Sequence, residues 1–238
     1  LVAAVGADLA GEQRLAELEA AGVRCAVTRH QVATGTVVVI ATGAERSMLC
    51  DRGANTLLAP DDVDRGLRGA PDGVHLHLSG YPLLEARTRA AGRHAVVAAR
   101  AAGLTVSVDA ASAGPLRRVG AAEFLSWVRG ADLLFANRDE ARVLCGDLPP
   151  DEAARQLAGV ARQAIVKLGP DGALWSDGDG VVAVPAAPAE VRDVTGAGDA
   201  FAAGALHAWL AGVAPSPMLT AAAALAADAV SRAGARPE

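Results

Sequence analysis

The sequence predicts an α/β fold in which helices cover a parallel sheet and a small antiparallel β-sheet is attached near the N-terminal end. Two observations predict it. From residue 74 onward, short apolar and β-branched runs alternate with helical runs, which is typical of βαβ units. Before that point, two extended runs are separated by a short polar turn, which indicates an antiparallel hairpin.

The N-terminal elements begin with a helix over residues 12–21. Leu15 and Leu18 stand at helical spacing there, and Gly22 is a helix stop. The β-branched run Thr36–Ala41 predicts a strand, and Arg46–Cys50 predicts a second one. Residues 42–45, Thr-Gly-Ala-Glu, form the predicted turn between them.

The remaining elements alternate along the chain. Strands are predicted at residues 74–78, 105–108, 132–135, 164–168, 173–175 and 181–184. Helices are predicted at residues 84–101, around residues 121–128, from Arg138, from Asp151, after Gly196 and after Pro217. Because each early strand is followed by a helix, these strands are expected to run parallel.

Composition excludes several classes of protein. The chain of 238 residues has a formal net charge of -5 and scattered basic residues, so no nucleic-acid partner and no anionic membrane surface are expected. No apolar run reaches the roughly 18 residues of a membrane span, and no signal peptide is recognisable. A cytoplasmic protein with free cysteines is therefore predicted. The only lysine is Lys167.

The most informative stretch is residues 193–201, Asp-Val-Thr-Gly-Ala-Gly-Asp-Ala-Phe, which precedes a helix of small residues. Small residues at Gly196, Ala197 and Gly198 allow a tight turn, so that backbone N–H groups and the positive helix end converge on one anion. Asp199 is placed to accept a proton from an attacking hydroxyl. The competing interpretation is a tight turn with Asp199 serving only the helix N-terminus.

This string resembles the C-terminal signature of the ribokinase-like, or phosphofructokinase-B type, carbohydrate kinases. Further segments resemble that family in the same order along the chain. They are Thr34–Thr36, Glu45–Arg46, Arg52–Asn55, Ala136–Glu140 and Val166–Ala173. The resemblance implies a Rossmann-like αβα sandwich with a small β-sheet lid. The implied core comprises residues 1–23 and 53–238, the implied lid comprises residues 24–52, and the family's first strand and substrate-gripping segment would precede Leu1.

The resemblance also implies a reaction, in which the γ-phosphoryl group of ATP moves to a hydroxyl of a sugar or sugar acid. Asp199 is the implied base, and it also touches the substrate. The implied anion hole is the backbone of Gly196, Ala197 and Gly198. The implied magnesium and phosphate region is Asn137 and Glu140, and the remaining implied nucleotide-site residues are Lys167, Gly169, Gly172 and Thr195.

Several of these residues have structural alternatives. Asn137 and Glu140 stand three apart at a helix start, where they would also form a capping box. Lys167 could extend from its strand end to solvent. Asp109 ends a strand at a substrate-facing position, although Ala110–Ser112 departs from the family's usual continuation. Asp193 would help a monovalent-cation loop or serve only a turn.

Two other functions stay open on the sequence. One is a nucleoside kinase of the same superfamily, and the other is a non-catalytic ligand-binding relative. Retention of Asp199 beside three small residues favours an enzyme, since a binding protein needs no base there. A homodimer through the exposed lid is a further expectation.

Overall fold

The computed structural model of the chain describes residues 1–42, 45–70 and 75–234. It divides into two compact units, residues 1–105 and residues 106–238. The elements of the first unit are β1 (Val2–Gly6), α1 (Leu9–Ala20), β2 (Ala26–His30), β3 (Thr36–Thr42), β4 (Glu45–Asp51), a 3-10 turn (Gly53–Leu57), α2 (Pro60–Arg68), β5 (His75–Ser79), α3 (Tyr81–Leu84) and α4 (Arg89–Ala101).

The first unit opens with a βαβ arrangement, in which β1 and β2 pair in parallel and α1 connects them. The predicted helix begins three residues earlier than expected, at Leu9. The reason is Asp8, whose Oδ1 accepts a hydrogen bond of 2.8 Å from the N–H of Gly11 and so caps the helix. Neither β1 nor β2 was predicted from the sequence, because both runs are short and carry no alternating pattern.

The predicted hairpin is confirmed by β3 and β4, which pair antiparallel from Thr36 opposite Asp51 to Thr42 opposite Glu45. The predicted turn residues Gly43 and Ala44 lie outside the described residues. The range proposed for the lid, residues 24–52, also contains β2, which pairs with β1 and not with the hairpin. The lid boundaries therefore stay a prediction.

The prediction of one helix over residues 84–101 is wrong. Helix α3 ends at Leu84 and α4 begins at Arg89. Between them Glu85 is extended, and the hydroxyl of Thr88 donates 3.0 Å to the carbonyl oxygen of Pro82. The strand predicted at residues 74–78 is β5, and Val74 lies outside the described residues. Buried Val63, Ala91 and Ala95 join α2 to α4, with four leucines packed against them: Leu58, Leu67, Leu76 and Leu78.

The second unit carries most of the predicted α/β alternation. Strand β6 lies at the boundary between the units. The elements are β6 (Thr105–Asp109), α5 (Ala113–Val119), α6 (Ala121–Val128), β7 (Leu133–Asn137), α7 (Arg138–Cys145), α8 (Pro150–Ala158), β8 (Ala164–Lys167), β9 (Ala173–Ser176), β10 (Val181–Val184), α9 (Ala197–Leu210) and α10 (Pro215–Val230).

The sheet of this unit has the order β10-β9-β8-β7-β6. Strands β6, β7 and β8 run parallel, which confirms the predicted βαβ pattern. Strands β9 and β10, whose direction the sequence did not predict, are antiparallel to their neighbours. The reason is the length of the connections, because residues 168–172 and 177–180 are too few for a parallel crossover.

The core of the second unit follows the alternation of side chains along a strand. Leu133 and Phe135 of β7 are fully buried and face α9 and α10, whereas Leu134 and Ala136 are buried on the other face. Helices α7 and α8 pack on β7 and β8. Helix α5 was not predicted, because residues 113–119 contain Gly114 and Pro115. Among the described residues, no helix is long and apolar enough to cross a membrane.

Small residues allow α9 and α10 to approach each other closely. A Cβ added to Gly204 would lie 3.0 Å from the Cα of Ala222 and 2.8 Å from Cδ1 of Leu225. Gly114 in α5 is a matched control, since a Cβ added there meets nothing within 4 Å.

We therefore expect Gly204→Ala to lower the free energy of unfolding by about 1 to 3 kcal/mol, because the helices must separate. Gly114→Ala should raise it by roughly 0.4 to 1 kcal/mol, because alanine restricts the unfolded chain without a clash. Urea unfolding of the two variants checks this. Equal effects of both substitutions would show that the helix contact is not tight.

Candidate active site

The start of α9 brings together the small residues predicted to hold an anion. Gly196 caps the helix with a left-handed φ of 83°, a conformation that glycine adopts without strain. The N–H of Ala197 donates to the carbonyl oxygen of Val194 at 3.3 Å. Since the first N–H groups of a helix have no carbonyl partner within it, this turn offers donors and a positive helix end to an anion.

Asp199 lies in the first turn of α9 and is exposed, as is its neighbour Gly198. Within residues 1–42, 45–70 and 75–234, the Asp199 carboxylate has no hydrogen bond or ion pair. The alternative in which this carboxylate caps its own helix receives no support, because the cap at Gly196 has no side-chain hydrogen bond. The carboxylate is therefore available to a bound molecule.

Three polar side chains come from the carboxyl ends of neighbouring parallel strands. Asp109 ends β6, Asn137 ends β7 and Lys167 ends β8, with Asn137 directly opposite Lys167. Nζ of Lys167 lies 2.6 Å from Oδ2 of Asp109, and the two side chains are only 14% and 16% exposed. The carboxyl edge of an open α/β sheet is the usual place for ligands.

Lys167 joins this strand edge to the start of α9. Its Nζ lies 3.6 Å from the position that a Cβ on Gly198 would occupy. The same ammonium lies 5.9 Å from the ring centroid of Phe135, within cation–π range. The alternative in which Lys167 extends into solvent is not what the structure shows, because its side chain is mostly buried.

Asn137 and Glu140 form the capping box that the sequence left open. Oδ1 of Asn137 accepts from the N–H of Glu140 at 2.9 Å, and Oε2 of Glu140 accepts from the N–H of Asn137 at 2.8 Å. Oε1 of Glu140 accepts from Nδ2 of Asn137 at 2.7 Å. Burial raises the pKa of Glu140, and the nearby Asp109 carboxylate raises it further, whereas Lys167 acts in the opposite direction.

These contacts limit how a magnesium ion would fit. Glu140 is 2% exposed and both of its carboxylate oxygens already accept hydrogen bonds. In the part of the chain that the structure describes, no three His, Cys, Asp or Glu side chains form a metal-binding group. Mg²⁺ commonly keeps several waters and binds through substrate phosphates. The residues therefore fit an ion held through phosphate and water, and do not fit direct ligation by Glu140.

A cavity of about 770 Å³ extends from these residues over the second unit. Asn137 and Lys167 are the polar side chains among the described residues that line it. The other lining residues are glycine or apolar: Gly169, Pro170, Gly172, Ala186, Ala187, Pro188, Ala189, Val191, Val194, Ala197, Gly198, Phe201, Ala223, Ala226, Ala227 and Val230. Its size and apolar lining are typical of a site for a nucleotide-sized ligand.

The structure brings most of the predicted residues to this cavity. Gly172 has a φ of 92°, and a Cβ there would lie 2.0 Å from the carbonyl oxygen of Val184, so only glycine fits. The predicted residues that are not among its lining residues are Asp109, Glu140, Thr195, Gly196 and Asp199. The N–H of Thr195 donates a hydrogen bond of 2.8 Å to Oδ1 of Asp193.

Sequence reasoning missed the apolar wall that α10 contributes to this cavity. It is formed by Ala223, Ala226, Ala227 and Val230. Their spacing of three and four residues was the signal that could have identified one helix face. Because alanine is frequent throughout the chain, this spacing did not stand out as a separate pattern.

A mixed sheet covered by helices, a helix start built of small residues and an adjacent nucleotide-sized cavity are the features expected of a small-molecule phosphotransferase. The family model described as "pfkB family carbohydrate kinase" matches residues 1–238. The chain therefore belongs to the pfkB family of carbohydrate kinases, which confirms the predicted family, fold class and kinase class.

Similarity to individual known proteins agrees with membership of this family. The chain is 33% identical over 218 residues to the ATP-dependent ribose-1-phosphate kinase of Halopiger xanaduensis, covering 88% of this chain and 67% of that protein. It is similar to the crystal structure of adenosine kinase from Sinorhizobium meliloti, with a TM-score of 0.89, 29% identity, and 99% and 73% of the two chains covered.

A second structure was solved with ligands. It is a putative ribokinase II from E. coli in complex with ATP and Mg²⁺, with a TM-score of 0.83 and 25% identity. The similarity covers 98% of this chain and 77% of that one.

The capping box yields a prediction about stability. Asn137→Ala removes the cap of α7 and leaves Glu140 without its amide donor, so the free energy of unfolding of the unliganded protein should fall by about 1 to 2 kcal/mol. Ser112→Ala is the control, because Ser112 caps α5 without a side-chain hydrogen bond and should change little. Urea unfolding of the two variants measures both changes in the free energy of unfolding. A loss for Ser112→Ala as large as that for Asn137→Ala would contradict the capping role.

Proposed function

We propose that this chain transfers the γ-phosphoryl group of Mg²⁺-bound ATP to a hydroxyl of a sugar or sugar acid, with Asp199 as the base. The observation that carries the proposal is the exposed, unpaired Asp199 carboxylate in the first turn of α9, next to Gly198, which lines the large cavity. The family supports the reaction class, and the ATP and Mg²⁺ bound by the similar ribokinase II support the donor.

The chemistry assigned to Asp199 is proton transfer. The acceptor oxygen forms a bond to the γ-phosphorus while its proton moves to the Asp199 carboxylate, and the bond from the γ-phosphorus to the bridging oxygen breaks to release ADP. Phosphoryl transfer has a loose transition state that needs mainly positioning and charge neutralisation. An aspartate held close to the acceptor hydroxyl is sufficient for this task.

The first turn of α9 is assigned the role of stabilising the negative charge that develops on the phosphoryl group during transfer. In this proposal the backbone of Gly196, Ala197 and Gly198 forms an anion hole at the positive end of a 14-residue helix. Their small side chains leave the backbone accessible to a phosphoryl oxygen.

The nucleotide is assigned to the large cavity. Lys167 would contact the phosphates, Gly169 and Gly172 would line the path of the nucleotide, and Thr195 would belong to the same site. Mg²⁺, when bound, would neutralise charge on the phosphates. Asn137 and Glu140 would hold it through water. The predicted substrate role of Asp109 stays a prediction, and it competes with a different role for this residue that follows from its ion pair with Lys167.

A nucleoside acceptor is the second candidate function. It is favoured by the similarity to the adenosine kinase structure from Sinorhizobium meliloti. A non-catalytic relative is the third, and the unpaired Asp199 carboxylate counts against it. We also propose that the protein acts in the cytoplasm and binds no nucleic acid, in keeping with ATP as donor and a net charge of -5.

Asp199→Asn should lower kcat by about 100- to 10,000-fold, the usual contribution of a general base, and leave the Kd for MgATP nearly unchanged. ADP release with sugars, sugar acids and nucleosides measures the first quantity, and calorimetry measures the second. Asp151→Asn is the control, because it removes the same charge from the first turn of α8.

Undiminished turnover in Asp199→Asn would remove this residue from the role of base. MgATP binding without ADP release for any acceptor would favour the non-catalytic relative. The acceptor with the highest kcat/KM decides between a sugar kinase and a nucleoside kinase.

We also propose that a monovalent cation binds near the loop before α9. Asp193 organises that loop, since Oδ1 accepts from the N–H of Thr195 at 2.8 Å and Oδ2 accepts from the N–H of Gly234 at 3.1 Å. Assays in potassium salts against tetramethylammonium salts test it.

We also propose a homodimer through the β3–β4 hairpin. Val37, Val38, Val39 and Ile40 of β3 are 49% to 54% exposed, and a two-stranded sheet has unpaired edges. Val38→Lys should convert a dimer into a monomer in sedimentation velocity, whereas the similarly exposed Val97→Lys in α4 should not. A wild-type protein that is monomeric at micromolar concentration would contradict the proposal.

A further inference from the structure

The ion pair between Asp109 and Lys167 has a function that the kinase proposal leaves open. We propose that Asp109 is a positioning residue, which holds the Lys167 ammonium at the phosphate end of the cavity and acts on phosphoryl transfer through that lysine without binding the sugar. The inference rests on the proposed function, because it assigns Lys167 to the phosphates of the donor.

The first argument is the position of the ammonium group. Nζ of Lys167 lies 2.6 Å from Oδ2 of Asp109 and 3.6 Å from the Cβ position of Gly198. It therefore stands between the carboxylate and the first turn of α9, where the anion is expected. A phosphate oxygen at that turn would meet the ammonium without a large movement of the lysine.

The second argument is that Asp109 is itself held in place. Its Oδ1 accepts a hydrogen bond of 2.8 Å from the N–H of Ala111. Ala111 has a φ of 68° and is the one non-glycine residue with positive φ in the described part of the chain. Strained backbone of this kind persists where the surrounding structure enforces it, and it is concentrated at functional sites. The turn thus directs Oδ2 toward Lys167.

The third argument is the state of the carboxylate. One oxygen accepts from a backbone N–H and the other faces an ammonium, and the side chain is only 16% exposed. A sugar hydroxyl would have to compete with both partners. A carboxylate that binds sugar hydroxyl groups needs oxygens without other partners. Asp199 is exposed and has such oxygens, whereas both oxygens of Asp109 already have partners.

The fourth argument concerns lysine chemistry. A lysine ammonium is a compact charge on a flexible stem, so it needs a fixed partner if it is to stand at one point. Lys167 is the only lysine of the chain. Asp109 supplies the fixed partner, and the ring of Phe135 at 5.9 Å limits the stem on another side. Because the Lys167 ammonium is already oriented before the nucleotide binds, it does not have to reorganise during phosphoryl transfer.

A double-mutant cycle tests the inference. The variants are Asp109→Asn, Lys167→Met and the double substitution, with kcat, both KM values, the Kd for MgATP and urea unfolding measured for each. We expect each single variant to lower kcat/KM for ATP by about 10- to 100-fold, the usual cost of losing a partner that orients a ligand. The double variant should be no worse than Lys167→Met alone, and KM for the acceptor should change less than twofold.

Asp132→Asn is the matched control. Asp132 is 17% exposed and pairs with Arg162 at 3.6 Å, but it precedes β7, at the opposite edge of the sheet. Its substitution should leave kcat/KM unchanged. Lys167→Arg should recover part of the activity lost in Lys167→Met, because it restores a positive charge.

Two results would overturn the inference. The first is a double variant whose loss of kcat/KM for ATP equals the product of the two single losses. The second is an Asp109→Asn variant whose KM for the acceptor rises tenfold while its kinetics with ATP are unchanged. Removing one partner of a buried pair destabilises more than removing both. If Asp109→Asn does not fold, equal kcat/KM of Lys167→Met and the double variant still supports the inference, and a further loss in the double variant overturns it.

Failure of the proposed function is distinguishable from failure of this inference. Absence of ADP release by the wild-type protein with every acceptor counts against the kinase reaction. The cycle is then judged on the Kd for MgATP, where non-additive losses support the positioning role and additive losses overturn it.

Discussion

The meeting of three parallel strand ends with the first turn of α9 is the constraint on which the candidate site depends. Because β6, β7 and β8 run parallel, their last residues lie at one edge of the sheet. Lys167 on β8 pairs with Asp109 on β6 across the strand between them, and the same ammonium adjoins Gly198. One side chain thus connects the sheet edge to the helix start, and the cavity begins at that point.

The position of α9 in turn depends on small residues. Gly204 lets α9 approach Ala222 of α10, while Phe201 of α9 belongs to the buried core and also lines the cavity. Alanine therefore has two effects in this chain. On the buried faces it allows close helix packing, and at Ala223, Ala226 and Ala227 it leaves room beside α10 for a ligand. The same composition shapes both the core and the site.

Sequence patterns were most informative where local chemistry decides the structure. The strand of β-branched residues at Thr36 was predicted, and the capping box of Asn137 and Glu140 was one of two interpretations, because neighbouring residues suffice to form both. Sequence patterns did not predict the break between α3 and α4, nor the antiparallel pairing of β9 and β10. The first depends on Thr88 bonding back to Pro82, and the second on connections too short for a crossover.

By itself the sequence determined the family, the alternation of strands and helices, and the residue types of the anion-binding loop around Asp199, because these follow from local periodicity and from a contiguous motif. Only the tertiary structure decided that Lys167 pairs with Asp109, 58 residues away, and that the wall of the cavity comes from α10. Contacts of such long sequence separation leave no local pattern. They arise when sheet order brings distant strand ends to the same edge.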